Sequence, residues 1–184
     1  LLFLALIALV WSGNLLTHLE WTGAIDDGVW PGLRLGLSGV CAMIAVVGGR
    51  VTPAFTRNAM RRAGRETGLP VSRRPVEMTA IGGAILLGPL WAAEAPAAIL
   101  AAVALAAGAA QLFRVALWRP GWCAPRPILW SLHLGMAMLG LGWVALGLGW
   151  AGLAIPESAA LHLLGVGAVG GMTLAVMSRA ALGH

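Results

Sequence analysis

Charged residues are scarce in this chain of 184 residues. They make up 10% of the sequence, whereas about a quarter of the residues in soluble globular domains are charged, and hydrophobic residues make up 59%. Apolar runs of about twenty residues recur along the whole length, and in a lipid bilayer such runs must be helical so that every backbone N–H and C=O is paired. The composition therefore excludes a soluble domain and predicts an all-α, polytopic bundle of transmembrane helices.

Lysine is absent, so all twelve basic residues are arginine, and the formal net charge is +5. A nucleic-acid-binding domain would carry such charge on one face of a soluble fold, but these arginines lie between apolar runs. No nucleic-acid partner is expected. The two cysteines, Cys41 and Cys123, fall in a predicted span and in a loop, so no disulfide between them is expected.

Catalytic signatures are missing as well. The sequence contains no GxSxG, HExxH, Walker or CxxC pattern, so it offers no site for hydrolytic chemistry, names no catalytic residue and leaves open whether the protein is an enzyme. GVGAVGG at 165–171 formally matches a dinucleotide fingerprint, but that motif works between a strand and a helix. Here it lies inside an apolar run, where glycines favour close helix packing.

Six transmembrane spans are predicted, and together they form a single domain over residues 1–184. Because the chain starts at Leu1 inside an apolar run and stops at His184, we expect a piece of a longer protein. Residues 1–19 lack the basic region and the cleavage site of a signal peptide. The predicted spans are 1–19, 31–49, 76–93, 95–118, 127–150 and 158–180.

The distribution of the arginines predicts how the bundle is oriented, because loops rich in Arg and Lys stay in the cytoplasm. Eleven of the twelve arginines fall on one side, seven of them in a predicted cytoplasmic loop at 50–75, and only Arg34 falls on the other. Five of the seven acidic residues lie in the opposite loops. We therefore expect a multi-pass protein of a bacterial inner membrane, with both ends of this piece cytoplasmic.

The four histidines are the best candidates for function, because intramembrane ionisable residues usually have one. His18 and His162 fall at the outer ends of their spans, His133 lies roughly 8 Å deep from the inner side, and His184 follows His162 by roughly 33 Å of helix. The histidines can therefore form an outer and an inner layer. Imidazole is a common haem and metal ligand, and facing helices hold such cofactors in bundles. His133 and His162 are the first predicted metal ligands, while a purely structural hydrogen bond is favoured for His18 and His184.

Two further groups of side chains are candidates for cofactor binding. Arg50, Arg57 and Arg179 can pair with a haem propionate or an anionic lipid from the arginine-rich side. Thioethers and a thiol are soft ligands for copper, although most of them are expected to pack in the core. The soft ligands are Cys41, Met43, Met136, Met138, Met172 and Met177.

Three segments resemble the C-terminal half of the NnrS family: GGRVTPAFTRN (48–58), RPILWSLHLGMAMLGLGW (126–143) and ALHLLGVGAVGGMTLAVMSRAALGH (160–184). These are polytopic membrane proteins linked to the response to nitric oxide and described as carrying haem and copper. The resemblance implies roughly twelve spans of about twenty residues in the full protein, with the N-terminal half as an intramolecular partner. It also implies nitric oxide or an iron-nitrosyl species as a ligand, and a role in relieving nitrosative stress or supporting denitrification.

Carried over position by position, the motif residues of the family fall in the arginine-rich segment, in span five and at the end of the chain. Met136 departs from the pattern, because an aromatic residue is expected there. The matching residues are Gly49, Arg50, Pro53, Phe55, Thr56, Arg57, Asn58, His133, His162, Gly171, Arg179, Gly183 and His184.

Two other classes of function remain open at this point. A transporter is suggested by the glycine and proline residues that interrupt the third span, with buried histidines lining a substrate path. A membrane anchor or assembly subunit would have purely structural histidines. The transporter predicts solute flux without a bound chromophore, and the anchor predicts neither flux nor chromophore.

Overall fold

The computed structural model describes residues 1–182, and all regular structure in them is helical. Six helical segments are long and apolar enough to cross a membrane, as predicted. The first five are α1 (Leu2–Trp21), α2 (Val29–Arg62), α3 (Arg74–Ala92), α4 (Ala97–Leu117) and, after the short α5 (Pro120–Cys123), α6 (Pro127–Trp150). The sixth runs through α7 (Glu157–His162), a π-helical segment π1 (Leu163–Gly170) and α8 (Gly171–Leu182).

The two ends of the bundle differ in charge. At the acidic end, the Glu20 carboxylate accepts hydrogen bonds from the Gly28 and Val29 N–H groups and so caps the first turn of α2. At the same end, Arg34 pairs with Glu94 at 3.3 Å. The other end, here called the arginine end, carries the C-terminal turns of α2, α4 and α8. The predicted division of the charges between two sides is therefore present in the fold.

Helix α2 is longer than the predicted span. Its 34 residues rise about 51 Å, well beyond the roughly 30 Å hydrocarbon core, and residues 50–62 of the expected loop are helical. The extension is held by packing, since Thr56 and Met60 are buried and Arg57 donates a hydrogen bond to the Pro70 carbonyl at 3.1 Å. The connection on this side is therefore short, residues 63–73.

Helix α3 is continuous, although glycine and proline were expected to interrupt the third span. Pro89 lies in its last turn, where the missing N–H removes one hydrogen bond near the helix end, and Gly82, Gly83 and Gly88 lie within regular helix. The irregular helix is instead the sixth span, whose π1 contains the GVGAVGG run up to Gly170, while Gly171 begins α8. The interrupted third helix on which the transporter hypothesis was based is therefore not found in α3.

Glycines set the closest helix contacts. A methyl group on Gly13 of α1 would lie 2.5 Å from the Gly32 carbonyl oxygen of α2, and one on Gly108 of α4 would lie 2.8 Å from the Gly140 oxygen of α6. Only glycine permits such an approach between backbones, as predicted for small residues at interfaces in membranes. Helix α6 packs against α2, α4 and the sixth span, and so lies at the centre of the bundle.

Candidate functional site

His162 ends α7 near the acidic end of the bundle. Its Nδ1 lies 2.7 Å from the Ser158 carbonyl oxygen, and because a carbonyl only accepts, Nδ1 carries the proton. The neutral ring then has a free lone pair on Nε2, and the side chain is exposed on the surface of the bundle. Metal-ligating histidines commonly have their second nitrogen bound to a backbone carbonyl in this way.

His18 lies at the same end, on an exposed face of α1. Its ring meets Trp21 edge-on, with the ring centroids 5.2 Å apart. Beside it runs a groove of about 410 Å³, here called the acidic-end groove, between α1, α2 and π1. The groove is mostly apolar and has Asn14, Thr17, His18 and Trp21 on one wall and Gly165 and Val169 on another.

His133 is in a different environment, as it is 2% exposed and lies at the arginine end. Its Nδ1 is 2.9 Å from the Leu129 carbonyl and its Nε2 is 3.3 Å from the Trp118 carbonyl. Both ring nitrogens therefore face carbonyl oxygens; in the neutral ring one of them donates, and the lone pair of the other points at a carbonyl and not at open space for a metal. This geometry is that of a histidine joining α6 to the last turn of α4.

The histidines whose positions the structure describes thus fall into the predicted layers, His18 and His162 at the acidic end and His133 at the other. His184 lies outside the described residues. Within residues 1–182, no group of three His, Cys, Asp or Glu side chains is arranged around a metal. A site in this part of the chain therefore has one or two histidines available and needs the cofactor to supply the remaining ligands.

The three arginines predicted to bind a cofactor lie at the arginine end. Arg50 is exposed, Arg57 donates to Pro70, and the Arg179 guanidinium stacks over the Phe55 ring at 4.9 Å. Residues 162 and 179 are about 25 Å apart along the sixth span. One haem cannot contact His162 and Arg179 together, so the structure does not bring the predicted outer ligands and the predicted propionate partners into one site.

Sequence analysis missed a buried charge network near the arginine end. Arg114 is 1% exposed, its Nη2 lies 2.6 Å from Glu77 Oε2, and it also donates to the Ala45 carbonyl and to Gln111 Oε1. Gln111 in turn donates to the Met136 carbonyl at 3.3 Å. The sequence did contain a signal for this network. It is the pair of polar residues Gln111 and Arg114, three residues apart in an otherwise alanine-rich run. Arg114 falls within the predicted span 95–118, but it was counted only among the arginines of one side.

The sulfur-containing side chains do not all lie together in the fold. Around Gly48 the thioethers of Met136 and Met172 meet, since a methyl group there would lie 2.5 Å from the Met136 sulfur and 3.1 Å from Met172 Cε. Cys41 is fully buried. Cys123 lies outside the spans with its sulfur 3.6 Å from Thr56 Oγ1, and burial raises the pKa of its thiol. Two thioether side chains that approach the same glycine are a soft pair with which Cu(I) is compatible.

Comparison with known proteins places this multi-pass architecture in a family. No match was found among curated proteins or among solved structures. The model of the family described as "NnrS protein" matches residues 1–184, the whole of the sequence. The chain therefore belongs to the NnrS family.

Proposed function

We propose that this chain is a haem-binding membrane protein of the nitric oxide response, and that His162 holds haem at the acidic end, the end of the bundle at which His18 also lies. The observation that carries the proposal is the hydrogen bond from His162 Nδ1 to the Ser158 carbonyl. It fixes the tautomer that leaves Nε2 free and orients the ring, which is the role of an outer-shell partner in metal sites. His133 has no free nitrogen in its present contacts.

The acidic-end groove fits the remaining needs of a haem. It offers apolar walls, and a wall of π1 at Gly165 with no side chain within 4 Å of where a Cβ would lie, so a flat ring can approach the backbone. His162 lies less than one helical turn before Gly165. π-helical turns in long helices are frequent at functional sites. When bound, haem iron supplies an open coordination position for nitric oxide, while this chain orients the iron and keeps the ring in an apolar environment.

Copper has fewer candidate ligands among the described residues than a metal site usually needs. The described residues offer the thioether pair of Met136 and Met172, which is short of the three or four ligands that a protein usually supplies. Copper binding therefore rests on the family and on this one pair. We further propose that the arginine end faces the cytoplasm of a bacterial inner membrane, since its arginines would hold the connecting segments there.

The test is an optical spectrum of the detergent-purified complete protein, oxidised and dithionite-reduced, together with metal analysis. His162→Gly is expected to weaken or shift the Soret band, and imidazole added to the buffer is expected to restore it by filling the space left by the ring. His18→Gly is the matched variant, because His18 lines the acidic-end groove on α1. Nitric oxide added to the reduced protein should shift the Soret band as a nitrosyl complex forms.

The spectra distinguish haem at the acidic end from haem elsewhere in the protein and from the absence of a cofactor. A Soret band that is unchanged in His162→Gly and in His18→Gly would place haem elsewhere and overturn the acidic-end site. A complete protein with neither chromophore nor copper overturns the cofactor proposal itself. Solute flux into vesicles by such a colourless protein would then support the transporter class.

A further inference from the structure

A second groove lies on the opposite half of the bundle, between α2 and α8. It has a volume of about 420 Å³, and its walls include Val40, Val47 and Val51 on α2 and Val176 and Met177 on α8. Its one hydroxyl-bearing wall residue, Thr173, donates to the Val169 carbonyl at 2.8 Å and so offers no free donor. The α2–α8 groove is therefore a surface that only an apolar chain matches.

The groove has the length of one leaflet. From Val40 to Val51 the α2 wall rises about 16 Å, and half of a hydrocarbon core of about 30 Å is about 15 Å. Residue 51 is at the arginine end, so the groove runs from the middle of the bilayer to that surface. Its dimensions and depth are those of one lipid acyl chain lying parallel to the helices.

Phe55 and Arg179 lie just beyond the wall residues at the arginine end of the groove. Phe55 lies one turn beyond Val51, Arg179 lies three residues beyond Val176, and the guanidinium stacks over the ring at 4.9 Å. Stacking holds the guanidinium in place, yet its Nε is buried and has no hydrogen-bond partner among residues 1–182. Arg50, next to Val51, is exposed at the same level. A fixed positive charge with an unused donor therefore lies at the mouth of an apolar channel.

We propose that the α2–α8 groove binds an anionic glycerophospholipid, with one acyl chain between α2 and α8 and its phosphate on Arg179. The phosphate oxygens accept from the guanidinium of Arg179, whose planar shape is suited to bidentate phosphate binding, and an oxygen can reach the buried Nε–H only if the side chain shifts on the Phe55 ring. The two grooves meet at Val40 and Val169, which line both, but the phosphate position at Arg179 is about 25 Å along the sixth span from His162. A zwitterionic lipid would fill the same channel, but without a net charge to pair with Arg179 and Arg50.

The experiment is native mass spectrometry of the complete protein, released from micelles that contain equal amounts of phosphatidylglycerol and phosphatidylcholine. The wild-type protein is expected to retain phosphatidylglycerol preferentially. Arg179→Gln should lower that preference about fivefold, since one arginine near an anionic surface contributes roughly 1 kcal/mol. Thr173→Trp, which fills the channel and leaves the arginines in place, should lower retention of both lipids. Arg61→Gln is the control, because Arg61 is an exposed arginine at the end of α2, beyond the groove.

The alternatives give different results. If Arg61→Gln and Arg179→Gln lower the preference equally, general positive charge explains it and the site is wrong. If the wild-type protein retains the two lipids equally, Arg179 does not select the anionic headgroup and the proposal is wrong. If Arg179→Gln loses haem while its lipid retention is unchanged, the groove is a propionate site and not a lipid site. Arg179→Lys keeps the charge without the planar stack, so its partial loss of preference would support the proposed geometry in a variant that still folds.

Discussion

Arg114 Nη2 and Glu77 Oε2 are 2.6 Å apart in the interior of the bundle, joining α4 to α3. The exposed fractions of the two side chains are 1% and 22%. The same guanidinium donates to the Ala45 carbonyl of α2, so one charged group connects three helices. An arginine held this way stabilises the bundle only as long as its carboxylate is present, because an unpaired buried charge is strongly unfavourable.

The first prediction concerns that ion pair. Glu77→Leu is expected to lower the free energy of unfolding by roughly 3–5 kcal/mol, because it leaves Arg114 charged and buried. Arg114→Met in the same chain should recover most of that loss, since replacing both partners by apolar residues is often neutral. The measurement is thermal unfolding in detergent followed by tryptophan fluorescence. A double variant as unstable as Glu77→Leu would show that the uncompensated charge is not the cause.

The second prediction concerns Gly49, which faces the guanidinium of Arg114. A methyl group there would overlap Arg114 Nη2 and lie 2.9 Å from its Cζ. Gly49→Ala should therefore displace the arginine and cost about 1–3 kcal/mol, the usual range for overpacking. Gly82→Ala is the control, because it is also helical but has nothing within 4 Å. It is expected to be neutral or to gain about 0.4–1 kcal/mol. Equal losses in the two variants would contradict the steric explanation.

Hydropathy predicted the spans well because the constraint behind it is strong: backbone groups in hydrocarbon have to be paired within the helix. The α6 span, 127–150, agrees with the structure at both ends. The error at α2 has a physical reason. Arg50 was interpreted as the start of a loop, but helix continues there because Thr56 and Met60 find buried contacts outside the apolar run. Periodicity alone does not show such tertiary packing.

The candidate site could be predicted only in part. The layering of His18, His133 and His162 follows from position along the spans, since each residue rises 1.5 Å. Which nitrogen is free does not follow, because it depends on whether the ring meets a second carbonyl, as His133 meets that of Trp118. Pairing of Glu77 with Arg114 likewise depends on which faces of α3 and α4 meet.

The third prediction concerns the reactivity of Cys123. Burial raises the pKa of its thiol, opposed by the hydrogen bond with Thr56 and by the positive charge of Arg126. In a Cys41→Ser background, alkylation by iodoacetamide should be slow at pH 8 and should rise only above the ordinary thiol range, since the thiolate is the reactive form. Thr56→Val removes the opposing hydrogen bond and should shift the profile to still higher pH. A profile centred at or below the ordinary thiol pKa would contradict the buried environment.

The fourth prediction separates the structural histidine from the proposed ligand. His133→Leu should lower stability by about 1–3 kcal/mol, because a ring that bridges the Leu129 and Trp118 carbonyls is lost and a buried acceptor is left unpaired. The Soret band of the complete protein should be unchanged. His162→Gly should weaken the Soret band and leave stability unchanged, since its ring is exposed and its hydrogen bond is to a carbonyl of its own helix.

Both readouts are taken on the same preparations, thermal unfolding for stability and the haem-to-protein absorbance ratio for cofactor content. The contrast matters because a destabilised protein can lose cofactor without losing a ligand, whereas a stable variant that lacks haem has lost one. If His133→Leu is as stable as wild type and colourless, the iron is held at the arginine end, where Arg50, Arg57 and Arg179 lie. The two carbonyl contacts of His133 would then have to open to free a nitrogen, and the acidic-end site would be wrong.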